Sequence, residues 1–430
     1  MLHTKTKGII GTIILIFMAG WLVGLGSPAA VAAGTDYNEL AAQAVQNNYQ
    51  LFQSGAAVDG GWGNFGAYDA YILTQAGVDT ETWVGENGSF KSAAIDLIDA
   101  SLNNEATAAK SSSKRMAQDY LAAKSLGESD KASQLLKILQ DRQGASGNGS
   151  FDANAFSDIP AFEMLGRAGD IGRIDAAAAI AYLLGEQDSS GAWTSSWQDF
   201  MATAEAIRAL EYLKPYAEEQ QLEVVNTAIN KGCDWLKLRQ ISNGGFQDGS
   251  GFDDPVVDTS EATFTLLCLG IDPGSWTTTD GKSPLDYLKD EAPNADGTFG
   301  SYANIASNTW ILDAYWQLGA RLGLIIDPAS SVLTVGGTRQ LAATFCDPDG
   351  TFADVTGLAS WSVDDADIAA VSQGLVTGVK VGKTGIHALY NGSSAAAVIQ
   401  VNSSGDSTNP GQDSIIKVYI QVVGQNNDIL

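Results

Sequence analysis

Lys231-Gly232-Cys233-Asp234-Trp235-Leu236-Lys237-Leu238-Arg239-Gln240-Ile241-Ser242-Asn243-Gly244-Gly245-Phe246 is the stretch on which the reading of this chain turns. A helical segment passes through Gln240 into a glycine turn that closes on an aromatic. The same order stands upstream as Tyr182-Leu183-x-x-x-Gln187-x-x-x-Gly191-x-Trp193. It returns downstream as Tyr287-Leu288-x-x-x-Ala292 followed by Gly297-x-Phe299, with one extra residue and no glutamine. Ile138-Leu139-x-x-x-Gln143 with Gly149-x-Phe151 is a looser copy, and Gly60-Gly61-Trp62 stands where the first copy belongs. Self-similarity at a regular interval marks a repeat architecture, in which each unit buries its apolar face against its neighbours.

Working outward, each aromatic precedes a polar loop and then an apolar segment of helical period. These segments end at Gly77, Gly127, Gly169, near Lys214, at Gly270 and at Gly319, roughly fifty residues apart. Further helix-like stretches fill the gaps at 38–53, 91–102, 131–143, 173–187, 221–240 and 284–291. The second helix of each pair is rich in Ala and aromatics, as in Thr203 to Leu210 and Thr263 to Gly270, whereas its partner carries charge on one face, as in Leu222 to Arg239. Six pairs with the apolar set inside and the amphipathic set outside make an all-α α6/α6 toroid over residues 34–323. An open solenoid is the alternative. In this frame Gln143, Gln187 and Gln240 bridge neighbouring outer helices, the glycines permit the turn, and Trp62, Phe151, Trp193, Phe246 and Phe299 pack beneath it.

Residues 231–246 resemble the QW repeat of the prenyltransferase and squalene-hopene cyclase superfamily, and the resemblance extends over about residues 35–320. It implies the toroid and says little about chemistry. Relatives of this fold include terpene cyclases, protein prenyltransferases, complement thioester domains and cobalamin carriers of the transcobalamin type. A prenyltransferase zinc needs a histidine ligand, and the two histidines, His3 and His387, both lie outside the toroid. The Asp-x-Asp-Asp acid of class II cyclases is approached by Gly251-Phe252-Asp253-Asp254, which lacks the first Asp. The Cys-Gly-Glu-Gln thioester motif is absent, since Cys233 sits in Gly232-Cys233-Asp234.

The remaining expectation is an aromatic-lined cavity with an acidic mouth. Tyr68, Phe156, Trp197, Phe252 and Trp310 are its aromatic ligand-binding candidates, and Asp158, Asp199, Asp253 and Asp254 its acidic ones, because all lie on inner helices or the loops before them. Asp258-Thr259-Ser260-Glu261 has the form of a capping box. A calcium site around Asp253, Asp254 and Asp258 has clustered oxygens but no recognised ligand spacing. No metal or cofactor is required by the motifs, and a corrinoid is the ligand that the transcobalamin-type resemblance implies.

The chain has 430 residues and a formal net charge of -26. That charge repels a phosphate backbone, so nucleic acid is not an expected partner. Lys5 and Lys7, the apolar run from Ile9 to Leu25, and the small residues Ser27 to Ala33 read as a signal peptide over 1–33; uncleaved, it would be a membrane anchor. Three scattered cysteines, Cys233, Cys268 and Cys346, do not make a disulfide framework.

After Gly323 the pattern changes to short β-rich runs between glycine turns. Val335-Gly336-Gly337-Thr338-Arg339-Gln340-Leu341, Trp361-Ser362-Val363, Val371 to Gly378 and Gly382-Lys383-Thr384-Gly385-Ile386 resemble the bacterial Ig-like group 2 module, placed at 324–402. The resemblance implies an all-β sandwich with Trp361 in its core and a spacer or adhesion role. Residues 403–413 read as a linker, and 414–430 as a strand of a truncated further β domain or one that completes another domain. The chain therefore reads as a secreted or bacterial cell-surface binding protein without catalysis. Its toroid holds a small molecule, a surface protein or a glycan. The alternatives are a terpene cyclase or prenyltransferase-like enzyme acting on an isoprenoid, and an adhesin or structural scaffold.

Overall fold

The computed structural model describes residues 36–403 apart from Trp62, Asn87, 195–198, 249–253, Arg321, 347–351 and Gly392. The expected signal peptide, the final strand and all but the first residue of the linker lie outside the described residues.

Alanine-rich segments make the inner set of helices. These are α2 (Ala67–Gln75), α4 (Ser113–Ser125), α6 (Ala155–Arg167), α8 (Asp199–Leu213), α10 (Pro255–Cys268) and α12 (Ile305–Gln317). Each packs against the next and α12 packs against α2, so the ring is closed rather than an open solenoid. Small side chains such as Ala204, Ala206 and Ala209, all fully buried, let neighbouring helices approach. The outer set is α1 (Asp36–Gln53), α3 (Phe90–Asn104), α5 (Ser129–Ser146), α7 (Ala176–Glu186), α9 (Glu219–Lys237) and the short α11 (Pro284–Asp286), continued by a π turn over Tyr287–Glu291. Its members are amphipathic: α9 buries Val225, Ile229, Trp235 and Leu236 and exposes its opposite face. Helix α1 packs on α12 and seals the seam. A two-residue hairpin, β1 (Val84–Gly85) with β2 (Gly88–Ser89), precedes α3.

The repeated glutamines do the same thing at each turn. The Gln240 amide donates to Gly244 O at 3.0 Å and to Trp276 O at 2.7 Å. Gln187 donates to Gly191 O and Ala228 O, and Gln143 to Gly149 O and Asp175 O. Each therefore ties its own turn to the next outer segment. Gly244 has φ +95, and a Cβ there would lie 2.2 Å from the Ser283 carbonyl oxygen, so glycine is required on both counts. Trp193, Phe246 and Phe299 are fully buried beneath their turns and Phe151 nearly so. In the first repeat the fully buried aromatic is Phe65, bridged to Val58; Trp62 lies outside the described residues.

The expected capping box at Asp258 is not the start of α10. The helix begins earlier, with Asp254 as N-cap accepting from the Val256 amide at 3.1 Å and Pro255 at the first helical position. Asp258 and Glu261 are buried inside the helix.

The C-terminal unit is a β sandwich. One sheet orders β4 (Ser330–Thr334), β12 (Ser393–Asn402), β11 (Gly382–Tyr390) and β8 (Ser360–Val363). The others order β3 (Leu324–Asp327), β6 (Ala342–Cys346) and β7 (Phe352–Asp354), and β5 (Thr338–Gln340), β10 (Leu375–Gly378) and β9 (Ala369–Ser372). Leu341, Val376, Ile386, Ile399 and Val401 make its core. Trp361 is only half-buried against that core, because its Nε1 must reach the Thr356 carbonyl at 2.9 Å. His387 is half-buried and lies 2.8 Å from Asp364.

Candidate functional site on the axis of the ring

Inward-facing positions of four inner helices carry charge, and a tyrosine of a fifth joins them. Arg208 on α8 donates from Nε to Glu163 of α6 at 3.1 Å and pairs through Nη2 with Glu261 of α10 at 2.7 Å. Its Nη1 reaches the Glu261 carbonyl and Thr265 Oγ1. Arg167, one turn beyond Glu163, makes a forked pair with Asp313 of α12 at 2.8 and 3.0 Å and donates to the Tyr68 hydroxyl of α2 at 2.6 Å. The Phe264 ring lies beside both guanidiniums, at 5.6 and 5.7 Å. All these side chains are at most a few per cent exposed, and pairing offsets what the burial of isolated ions would cost. Burial holds the Glu163 carboxyl above its usual range against the pull of Arg208 and Arg167. It also raises the Tyr68 and Tyr71 hydroxyls. The axis thus carries an ion network at this level.

The N-terminal end of the ring differs. Lys114, in the first turn of α4, places its ammonium 5.0 Å over the ring of Phe156, in the first turn of α6, and Phe156 is 40% exposed. One element on, Glu205 of α8 is 6% exposed, and among the described residues neither of its carboxyl oxygens has a hydrogen-bond partner. Burial pushes its pKa up to about 8; the Lys114 charge opposes this more than any other group, while Glu261 and Glu163 reinforce it. No ion pair joins Lys114 to Glu205 among the described residues. Trp310 of α12, half-buried, donates from Nε1 to Glu261 at 2.7 Å and packs on Tyr68 with ring centroids 5.2 Å apart.

The sequence-derived candidates divide accordingly. Tyr68 and Trp310 belong to the axial network, and Phe156 to the mouth. Asp158, expected as a ligand contact, is fully buried: it accepts from the Phe151, Asp152 and Asn154 amides and from the Ser113 and Tyr182 hydroxyls. Five donors converge on one carboxylate and hold the loop before α6, leaving nothing free for a ligand. Asp254 likewise takes the Ser307 hydroxyl at 2.5 Å besides capping α10. Asp199 heads α8 and is half-buried. Trp197, Phe252 and Asp253 lie outside the described residues, and no cluster of metal-ligating side chains occurs among those described. Sequence reasoning missed Glu163, Arg167, Arg208, Glu205, Glu261 and Lys114. The available signal was charge recurring at helical spacing inside otherwise alanine-rich segments, as in Glu163 and Arg167 or Glu205 and Arg208. An open cleft at the outer rim, lined by Leu238, Arg239, Gln240, Ile241, Gln247 and Asp248, is remote from this axis.

Residues 323–401 match the family of bacterial Ig-like domains, group 2. The C-terminal unit is a bacterial Ig-like domain. The Ig-like domain accounts for under a fifth of the chain, and no curated protein matches by sequence. Solved structures similar to the chain include a type II terpene cyclase from Scytonema in complex with merosterolic acid A, at 11% identity over 65% of this chain and 98% of that one, with a TM-score of 0.42. The ent-copalyl diphosphate synthase from Streptomyces platensis shares 18% identity over 59% of this chain and 50% of that one, at TM-score 0.40. Haptocorrin in complex with Cbi shares 12% over 76% of this chain and 78% of that one, at TM-score 0.44. At such identities and TM-scores these likenesses assign this chain neither an activity nor a ligand. Among the described residues no helix is long and apolar enough to cross a membrane.

Proposed function

We propose that the chain is a secreted or bacterial cell-surface binding protein without catalysis, which holds a small molecule at the N-terminal mouth of its toroid while the Ig-like domain serves as spacer. The observation that carries this reading is the ion network on the axis. A cyclase must enclose a polyene in an apolar aromatic sleeve and stabilise a carbocation there; two buried guanidiniums, Arg167 and Arg208, oppose such a charge. The mouth, by contrast, combines an exposed aromatic with an ammonium that forms no ion pair among the described residues. Residues 1–33, read as a signal peptide, and the Ig-like domain support the location. A corrinoid is the finer candidate, because carriers of the transcobalamin type that the repeats resemble combine such a toroid with a β domain.

The test is native mass spectrometry of the mildly purified chain, followed by absorbance titration with cobinamide. A co-purified corrinoid, or saturable cobinamide binding, is the expected result. A retained isoprenoid would overturn the reading in favour of an enzyme, and an empty protein that ignores cobinamide would favour a scaffold or adhesin.

A further inference from the structure

Lys114 departs from the charge economy of this chain. Acidic residues outnumber basic ones by 50 to 24, yet this half-buried lysine has no ion-pair partner among the described residues. Its ammonium rests on the Phe156 ring at the entrance to the barrel. Behind it stands Glu205, more than nine-tenths buried and without a hydrogen-bond partner among the described residues, facing Lys114 of α4, Glu163 of α6, Arg208 of its own helix and Glu261 of α10. Glu163 and Glu261 are each ion-paired with Arg208, whereas Glu205 has neither an ion pair nor a hydrogen bond among the described residues. A carboxyl that keeps no protein partner, beside an ammonium that keeps none either, marks a place where an outside group fits.

We infer that Lys114, Phe156 and Glu205 form a subsite for a carboxylate carried on an apolar or aromatic body. This deepens the proposed function and rests on the toroid mouth being a ligand site. The ammonium supplies a charge-assisted bond to one carboxylate oxygen, and the undissociated Glu205 carboxyl donates its O–H to the other. Lys114 and Phe156 both lie in first helical turns, where the helix dipoles also favour an anion. The exposed Phe156 ring takes the apolar body of the ligand once the carboxylate has drawn the ammonium off its face. A cationic ligand would have to displace Lys114 from Phe156 and then meet two donors.

The test uses the purified chain and isothermal titration with phenylbutyrate, phenylbutyramide and phenylbutylamine. Phenylbutyrate is expected to bind, the amide at least tenfold more weakly and the amine not at all. Lys114→Met should weaken phenylbutyrate by roughly tenfold or more, the effect of one charge-assisted hydrogen bond. Glu205→Gln retains a neutral donor, so it should bind within about threefold of the parent and abolish the fall in affinity that the parent shows as pH rises past about 8. Failure of phenylbutyrate to bind, an amine that binds as well as the acid, or an unaffected Lys114→Met variant would each overturn the inference. If cobinamide or the co-purified ligand still binds while phenylbutyrate does not, only this subsite fails and the proposed function stands. If nothing binds in either experiment, both fail.

Discussion

Removing Arg208 tests whether the axial network is structural. Its side chain is 4% exposed and joins α6, α8 and α10 through Glu163 at 3.1 Å, Glu261 at 2.7 Å, the Glu261 carbonyl and Thr265. In Arg208→Met the shape is largely kept, but Glu261 retains only Trp310 and Glu163 only the longer 3.7 Å pair with Arg167. Breaking a buried pair from one side costs about 3–5 kcal/mol. For a domain of this size that lowers Tm by roughly 6–20 °C. The orphaned carboxylates can escape by taking up protons, which raises their folded pKa above the unfolded value. The variant's deficit should therefore be smallest below the unfolded carboxylate pKa of about 4.3 and grow as pH rises. Adding Glu261→Gln removes one uncompensated charge while keeping an acceptor for Trp310, and should restore at least half of the loss. Thermal unfolding followed by far-ultraviolet circular dichroism at neutral and acidic pH reads all three outcomes. A loss below about 1 kcal/mol at neutral pH, or a double variant no better than the single one, would refute the network as a coupled structural unit.

Glu205→Gln bears on stability as well as binding. Because burial raises the Glu205 pKa to about 8, the parent should lose stability as pH rises from the unfolded glutamate range to about 8, and the variant should lose less over that interval in chemical denaturation at stepped pH. Asp158→Ala strands three loop amides, that of Phe151 buried, and two hydroxyls, so it should cost at least ~2 kcal/mol in urea unfolding. Phenylbutyrate affinity should be unchanged, because Asp158 takes no part in the mouth. Gly244→Ala must strain a φ of +95 and push against the Ser283 carbonyl, whereas Gly281→Ala has φ +78 and nothing within 4 Å. The second substitution should cost about 1–2 kcal/mol, the usual left-handed penalty, and the first clearly more, both read as shifts in denaturation midpoint.

The ring was legible because spacing is a backbone property. Gln143, Gln187 and Gln240 recur before glycine and an aromatic, and each spans the same two carbonyl partners, so one hydrogen-bonded clamp explains the periodicity. The Ig-like strands were legible through alternation and turn glycines. The site was less so. Which face of an inner helix meets the axis depends on how six helices are rotated against one another, and a one-residue change in helix start turns that face by about 100°. Reading α10 as capped at Asp258 rather than Asp254 turned Glu261 into a capping residue and hid its place opposite Arg208. Asp158 and Asp254 attracted notice as carboxylates near helix starts. Their actual work is to gather loop amides and hydroxyls, because converging donors stabilise a buried carboxylate wherever a turn needs fixing.

The two halves of the axis place different demands on the same kind of residue. Toward the C-terminal ends of the inner helices, acids and guanidiniums match in geometry, so the buried charge has no reason to recruit an outside group. At the mouth the match is incomplete: Lys114 leans on an aromatic instead of an acid, and Glu205 is desolvated without a bond to offset the cost. A scaffold selected for stability alone would lose little by replacing Glu205 with leucine, since an apolar side chain of similar size removes the desolvation penalty outright. Retaining two donors beside an exposed ring is an arrangement that a bound carboxylate would complete. If Glu205→Leu stabilises the chain yet abolishes phenylbutyrate binding, stability has been exchanged for recognition at this position. If it stabilises the chain and leaves binding intact, the mouth is not the site.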